Sequence, residues 1–306
     1  IDQDADRGAF SYQGEDKKEN RTYVNEDKKD DGKIIIKQDD KDTPTENTVT
    51  AQEDVKKTDN ADGSESRDVD IVIDGVNADT SKTGESTVTV GEGANVDLTV
   101  KNSILTTGGN GIDIGKDLDG TDENKDTKVD LTLEGTTINQ TNKQNSAGLD
   151  VRQGSDVNLT LKGDNVIDGS AAIDSATKEG KKLTDSNINV EGIRVGSEVA
   201  SDFSGAEKDA HLTIKGTTTG MVIAGGSDEE DSSVTITDGA DVTIQDTHVS
   251  GSTQSGRGVT QHGDLTLDGG SSLTIDGSHV GEDGKTHEND MLRIGDWIEM
   301  PQNGIN

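Results

Sequence analysis

The carboxylates best placed for chemistry lie in one acidic stretch, residues 117–123. Asp117, Asp119 and Asp122 follow one another closely there, and closely spaced carboxylates together with backbone carbonyls are the oxygen ligands that Ca²⁺ takes. The stretch lacks the full spacing and the closing glutamate of an EF-hand loop. We predict that these aspartates bind Ca²⁺; the alternative is a solvated acidic loop.

Other aspartates recur at equivalent places in successive repeats. Asp97 and Asp130, preceded by Asp70, share one place, and Asp113 and Asp150 share another, to which we also assign Asp174. Carboxylates stacked about 4.8 Å apart repel unless cations or hydrogen-bond donors lie between them. We therefore predict that Asp97, Asp130, Asp113 and Asp150 bind a ligand, either Ca²⁺ or a hydroxyl-rich molecule. The alternative is that loops separate the coils and water screens the charges.

No catalytic constellation is visible in the sequence. Arg152, Arg194 and Arg257 could each act as a base, but they do not collect with acids in a recognised motif. The five histidines show none of the paired spacings of a metal-binding motif. We predict no catalytic residues and a non-enzymatic chain.

A repeat must position these side chains. An apolar residue, usually threonine and a second apolar residue recur at a mean interval of about 29 residues, with glycine, asparagine or aspartate two places later. The first residues of these phrases are Ile71, Leu98, Leu131, Leu159, Ile188, Leu212, Val242 and Leu273. The interval and the turn residues are typical of a solenoid whose strands end at a fixed corner.

A second family of short segments alternates in the same way. Its apolar pairs begin at Val88, Ile112, Leu149, Ile193, Met221 and Val234. Alternation with β-branched residues predicts strands, and two or three strands per repeat predict one parallel β-helix, right-handed as parallel crossovers nearly always are. The residues that follow the first family's second apolar position alternate in charge for six coils, which favours this register: Asp74, Lys101, Glu134, Lys162, Glu191 and Lys215. There is no sustained helical periodicity.

Composition agrees with a narrow solenoid rather than a large globular core. The chain has 306 residues, 27 % hydrophobic residues and 2 % aromatics, so its core must be built from stacked aliphatic side chains. A net charge of −33 repels nucleic acid and anionic membranes. No apolar run is long enough to span a bilayer, and the absence of cysteine excludes disulfides.

The chain divides into three parts. We predict a charged N-terminal cap or surface segment over residues 1–33, a β-helix over residues 34–290, and a C-terminal cap or tail over residues 291–306. Loops are expected at residues 116–128, 175–186 and 226–233. The chain begins at Ile1 without a secretory signal, and we take it as a mature or excised segment, expected to be a monomer.

The phrase SAGLDVRQGSDVNLTL, residues 146–161, resembles the coils of bacterial secreted right-handed parallel β-helix proteins. That group includes autotransporter passengers, large adhesins and carbohydrate-binding β-helices, and the resemblance covers roughly residues 34–290. It implies a secreted or cell-surface location and a glycan or host surface protein as partner. We therefore expect a non-catalytic adhesin or binding domain, assisted by Ca²⁺.

Two alternatives stay open. The same solenoid supports polysaccharide-active enzymes of the pectate-lyase type, which would require acids and a basic residue to converge in a groove. Because neighbours in a solenoid lie about 29 residues apart in sequence, the sequence alone leaves such a convergence undecided. The other alternative is a purely structural surface stalk.

Overall fold

The protein is described by a computed structural model. The residues that the structure describes are 11–13, 22–24, 33–38, 41–51, 70–118, 120, 126–178, 188–196, 199–206, 210–224, 232–248, 256–276, 278–280, 286–288 and 290–294.

These residues form short strands and one two-turn helix. The strands are β1 (Ser11–Gln13), β2 (Thr22–Val24), β3 (Lys33–Lys37), β4 (Val49–Ala51), β5 (Asp70–Asp74), β6 (Asn77–Asp79), β7 (Val88–Gly91), β8 (Asn95–Lys101), β9 (Ile104–Thr107), β10 (Ile112–Lys116), β11 (Thr127–Glu134), β12 (Thr137–Gln140), β13 (Ser146–Val151), β14 (Ser155–Lys162), β15 (Asp164–Asp168), β16 (Val190–Val195), β17 (Ala200–Gly205), β18 (His211–Lys215), β19 (Thr219–Ile223), β20 (Ser233–Thr237), β21 (Asp241–Gln245), β22 (Arg257–Gln261), β23 (Asp264–Leu267), β24 (Ser272–Ile275), β25 (Ser278–Val280), β26 (Thr286–Glu288) and β27 (Asp290–Ile294). Helix α1 (Ser170–Lys178) lies between β15 and β16.

The strands stack into three parallel sheets, and from β4 to β24 each coil contributes one strand to each sheet in turn. Sheet A runs β1-β2-β4-β7-β10-β13-β16-β19-β22-β27, sheet B runs β3-β5-β8-β11-β14-β17-β20-β23, and sheet C runs β6-β9-β12-β15-β18-β21-β24. Among the described strands, only β1 against β2, and β25 against β26, are antiparallel. The described chain is the predicted parallel β-helix.

The core consists of apolar side chains stacked between the sheets. On sheet A, Ile112 is in register with Leu149, and on sheet B, Leu131 is in register with Leu159. One continuous cluster of buried residues runs from Ile36 to Val259. Because every second residue of a strand points inward, the residues between them form outward columns at a spacing of about 4.8 Å.

The first family of phrases is predicted to stack in one column on a single sheet, and this prediction is wrong. Its first four members lie on sheet B, but the phrase at Ile188 leads into sheet A and the last three lie on sheet C. The sheet B column continues instead through Phe203, Ile236 and Leu267. The prediction failed because strands of all three sheets alternate in the same way before a turn, and α1 lengthens one coil.

The predicted charge column is therefore correct only on sheet B, where Asp74, Lys101, Glu134 and Lys162 are in register. Glu191 lies on sheet A and Lys215 on sheet C. The corner residues behave as predicted at most positions, with positive φ between 49° and 67° at Gly75, Asn102, Gly135, Gly163, Gly216 and Asp246. Gly192 lies within β16, and Gly277 lies outside the described residues.

Helix α1 is an element that the sequence analysis missed. Its nine residues are too few for a sustained periodicity, but Ala172, Ile173 and Ala176 pack against Ile188 and Val190 in a small separate core. The Asp168 carboxylate accepts the Ser170 N–H at 2.9 Å and so satisfies one of the N–H groups that lack a partner within the helix at its N-terminus. Asp174 lies on this helix, so its assignment to the column of Asp113 and Asp150 is wrong.

The terminal segments are described only in part. Strands β1 and β2 extend sheet A within the predicted N-terminal cap, and β27 extends the same sheet at the other end. Most of the three predicted loops lies outside the described residues. In the described part of the chain, no helix combines the length and hydropathy of a bilayer span.

Candidate functional site

Two polar regions on the outside of the solenoid contain the predicted ligand-binding aspartates. The first, which we call the ion-pair cluster, lies on sheet A and comprises Asp113, Asp150, Arg152, Glu191 and Arg194. The second, which we call the sheet B polar face, is formed by two columns of side chains: Asp70, Asp97, Asp130, Asn158 and Asp202, and beside them Thr99, Thr132, Thr160, Ser204 and Thr237.

A recurring motif positions the ion-pair cluster. Each central strand of sheet A has a glycine, an inward apolar residue, an outward residue and a second inward apolar residue, as in Gly148, Leu149, Asp150 and Val151. A Cβ atom added at Gly192, the equivalent glycine one strand on, would contact the Ile214 Cγ2 atom of sheet C and the Gly220 carbonyl. Only glycine lets sheets A and C approach this closely.

Asp113 is fully enclosed and bound by an arginine. The residue is 1 % exposed, and Arg152 donates from Nε to Oδ1 at 2.6 Å and from Nη2 to Oδ2 at 2.9 Å. The Ser86 hydroxyl donates to Oδ2 at 3.3 Å. This bidentate geometry is the strongest form of arginine–carboxylate pairing, and these hydrogen bonds raise the pKa of Arg152 above its ordinary value.

Asp150 lies in register with Asp113 on the next strand and is 4 % exposed. The Asn110 amide donates to its Oδ2 at 2.8 Å, and the Arg194 Nε lies 3.5 Å from Oδ1. Burial is the main reason that the pKa of Asp150 rises to about 6; Arg194 opposes the rise and Asp113 adds to it. Asp150 is thus a carboxyl group that changes charge near neutral pH.

Glu191 completes the cluster on β16. Its Oε2 accepts the Arg194 Nε–H at 2.6 Å, and its Oε1 accepts the Asn189 amide at 3.2 Å. The Arg194 Nη1 also donates to the Asn145 Oδ1 at 3.4 Å. Three acids therefore share two guanidinium groups, and the cluster retains about one net negative charge when all three are ionised.

Arg152 and Arg194 contact acids in the folded chain, although no recognised sequence motif links them. Arg152 and Asp113 are 39 residues apart in sequence, and only the stacking of strands brings them together. Arg257 lies in register with Thr219, which in turn pairs with Glu191, so it is two strands from the cluster's edge. The usable signal was the shared glycine motif, in which Asp113, Asp150 and Arg194 hold the same place.

The sheet B polar face has a different environment. Asp70, Asp97 and Asp130 are in register as predicted, and Asn158 continues the column. Asp130 and Asn158 are exposed, and the Asn158 amide donates to the Asp130 Oδ1 at 2.7 Å. An amide rather than a guanidinium thus contacts the exposed Asp130 carboxylate, whereas Asp70 and Asp97 are half-buried and the Asp97 Oδ1 is buried.

Hydroxyl groups line the neighbouring column of this face. Thr99, Thr132 and Thr160 are in register and partly exposed, and the Thr160 and Ser204 hydroxyl oxygens lie 3.4 Å apart. Beyond them, the Lys101 Nζ lies 3.5 Å from an Asp74 carboxylate oxygen. The face therefore presents acceptors, hydroxyls and ammonium donors side by side at a regular spacing.

The predicted Ca²⁺ loop is described only at its edge. The Asp117 Oδ1 accepts the Gly120 N–H at 2.5 Å, while Asp119 and Asp122 lie outside the described residues. Elsewhere in the described part of the chain, no three acid or histidine side chains are grouped to hold a metal ion. At Asp113 and Asp150, arginines supply the positive charge that a cation would supply, so these two residues do not fit a Ca²⁺ site.

Comparisons with protein-family models, curated protein sequences and solved structures found no match for this chain.

Proposed function

We propose that this chain is a non-catalytic binding domain of a secreted or surface-displayed bacterial protein, and that it recognises a glycan along the sheet B polar face. The observation that carries the proposal is that a partly exposed column of carboxylates and an amide lies beside a column of hydroxyls. Both columns continue over several coils without interruption by a large apolar side chain.

The chemistry of this face suits a hydroxyl-rich polymer. Carboxylates such as Asp97 and Asp130 accept hydrogen bonds from sugar hydroxyls, and threonine hydroxyls both donate and accept. Successive coils repeat these groups at about 4.8 Å, so an extended chain can meet equivalent partners on each coil. Many weak contacts along a rigid face give avidity without a deep pocket.

Asp113 and Asp150 are less suited to first contact with a ligand. Their oxygens already accept hydrogen bonds within the protein, and both carboxylates are buried. A ligand would have to displace Arg152 or Arg194 to reach them. We therefore assign first contact to the exposed Asp130, and leave contact at Asp97, Asp113 and Asp150 as a prediction.

A glycan array tests the proposal. The purified chain is applied once with Ca²⁺ and once with a chelator, because the 117–123 stretch is our proposed Ca²⁺ ligand. We expect a glycan signal that disappears in the D97A/D130A variant. The matched control is D164A, which removes an exposed carboxylate from sheet C and should keep the signal.

Each outcome of the array has a distinct meaning. Loss of signal with chelator alone would support Ca²⁺ assistance, whereas a signal independent of chelator would remove Ca²⁺ from the proposal. No signal under either condition would contradict glycan recognition and favour a host protein receptor or a passive stalk. Equal loss in D164A and D97A/D130A would show that the effect is not specific to sheet B.

A polysaccharide-active enzyme is the second candidate, and one observation favours it. Asp113, Asp150 and Glu191 do converge with two arginines, and the pKa of about 6 would let Asp150 donate a proton near neutral pH. The test is release of reducing ends or of unsaturated products from uronate and neutral polysaccharides. Activity that is lost in D150N would support an enzyme. If the chain cleaves neither class of polysaccharide, the enzyme candidate is contradicted and the glycan-binding proposal remains.

A further inference from the structure

At the C-terminal end of the solenoid, the three sheets end at different coils. Sheet A continues past β22 to β27, whereas among the described strands nothing follows β23 on sheet B or β24 on sheet C. The backbone of β23 is bonded to β20 on one side. Its other edge meets no described strand, and such an edge is a template for pairing with a further strand.

Inward side chains at this end are not covered as they are elsewhere. On β23, Leu267 is 46 % exposed and Leu265 is partly exposed, while their in-register neighbours Ile236 and Val234 are 0 % and 1 % exposed. The same change occurs on sheet C between β21 and β24, at Leu273. An apolar strip therefore adjoins the open edge.

The sequence of this edge has a counterpart at the other end of the same sheet. Residues 264–268 read DLTLD, and β5 reads DIVID. Strand β5 accepts β3, which reads KIIIK, in a parallel register that aligns Lys33 with Asp70 and Lys37 with Asp74. On its other edge β5 pairs with β8, which aligns Asp70 with Asp97 and Asp74 with Lys101. Strand β3 is thus one example of a lysine-ended strand that pairs with an acidic-ended, apolar-centred strand of sheet B.

We propose that the open edge of β23 is a docking site for an extended strand of a partner polypeptide, which adds in parallel to sheet B. The partner strand has apolar residues at alternate positions, to cover Leu265 and Leu267, and lysines at both ends, to face Asp264 and Asp268. Main-chain hydrogen bonds supply the affinity and these side chains supply the selectivity. This site is at the end of the solenoid and does not rest on the proposed glycan recognition.

A synthetic peptide of residues 32–38, GKIIIKQ, serves as the probe. Its binding to the full chain is measured by fluorescence anisotropy of a label on the peptide. We expect saturable binding that weakens roughly tenfold in the D264K/D268K variant, because each lysine of the peptide would then face a lysine and be repelled. The control variant D164K changes another exposed aspartate, which lies on sheet C, and should leave binding unchanged.

A charge exchange makes the test specific. The peptide GEIIIEQ should bind the D264K/D268K variant better than the unmodified chain. A peptide that instead displaced β3 from β5 would be insensitive to both charge changes, and that result would overturn the proposal.

Other occupants give distinguishable results. Failure of the full chain to bind GKIIIKQ would overturn the proposal. Binding that appears only after deletion of residues 295–306 would show that the chain's own end covers the edge, and would also overturn it. Concentration-dependent self-association in sedimentation, without peptide binding, would assign the edge to a second copy instead.

Discussion

The ion-pair cluster and the sheet B polar face resolve the same electrostatic conflict in different ways. In both regions two aspartates stack in register on neighbouring strands, Asp113 with Asp150 and Asp97 with Asp130. On sheet A, arginines from the same and the next strand enclose the carboxylates. On sheet B, the Asn158 amide contacts the exposed Asp130 carboxylate, and Asp97 is half-buried. Whether stacked carboxylates are enclosed or exposed therefore depends on the side chains in the neighbouring columns.

This difference predicts where mutations will be costly. A carboxylate that is buried with its arginine leaves an uncompensated charge when that arginine is removed. An exposed carboxylate is screened by water and loses little when a neighbour changes. The ion-pair cluster should therefore hold the register of the coils, whereas the polar face is free to vary with its ligand.

The largest expected effect is that of Arg152→Ala. Asp113 would lose both guanidinium hydrogen bonds while 1 % exposed, so the free energy of unfolding should fall by about 3 to 5 kcal/mol. Urea titrations followed by far-ultraviolet circular dichroism measure the change.

The double variant D113A/R152A distinguishes the cause. If the penalty comes from the unpaired charge, the double variant should be more stable than R152A alone. A double variant that is less stable than R152A would contradict this explanation and indicate that packing by the side chains dominates.

The second effect concerns pH and the variant Asp150→Asn. The pKa of Asp150 is raised to about 6 in the fold from 3.8, so its contribution to stability is complete below about pH 4 and is lost as the pH rises through 6. The shift corresponds to about 3 kcal/mol. The stability of D150N relative to the unmodified chain should therefore rise by about that amount between about pH 4 and pH 7.

Asp168 provides a contrast of opposite sign. Burial raises its pKa, but hydrogen bonds from Ser170 and Lys215 outweigh burial and lower it overall. Its stabilising contribution is therefore present at neutral pH and is lost as the pH falls, so D168N should lose stability relative to the unmodified chain as the pH rises. Parallel pH profiles for D150N and D168N would contradict the assignment of the two carboxyl groups.

The third effect compares glycines of the two sheets. Gly192→Ala on sheet A should cost roughly 2 to 3 kcal/mol, because the added methyl group overlaps Ile214 and the Gly220 carbonyl. Gly163→Ala, at the corner after a sheet B strand, meets open space and should cost only about 1 kcal/mol for its φ of +61°. Equal losses in thermal unfolding would contradict a tight contact between sheets A and C.

The sequence was sufficient to predict the parallel β-helix but not the sheet on which each strand lies. Alternation and corner residues are local properties, and they identify strands and turns wherever they occur. Assigning Leu212 to sheet C rather than sheet B requires knowing that α1 fits between Asp168 and Val190. That helix is short and packs through only a few apolar residues, so the sequence shows no helical periodicity that would predict it.

Only part of the ion-pair cluster could be predicted from the sequence: the shared glycine motif places Asp113, Asp150 and Arg194 in one column, but not Arg152. The Asp97 and Asp130 column follows from the repeat alone, because its members hold the same place in successive coils. Arg152 contacts Asp113 from the next coil, two residues beyond the position that is in register with Asp113. Both the pairing of the coils and this shift along the chain must therefore be known. The Asp113 and Asp150 carboxylates also accept hydrogen bonds from Ser86 and Asn110 respectively, which the repeat alone does not predict.

The smallest expected effect tests the polar face itself. Lys101→Glu would place a third acid between Asp74 and Glu134, which are its in-register neighbours. Because these side chains are partly exposed, we expect a loss of less than about 1 kcal/mol in urea titration, and a smaller loss at high salt. A loss as large as that of R152A would mean that the face fixes the register after all, and the contrast between the two sheets would fail.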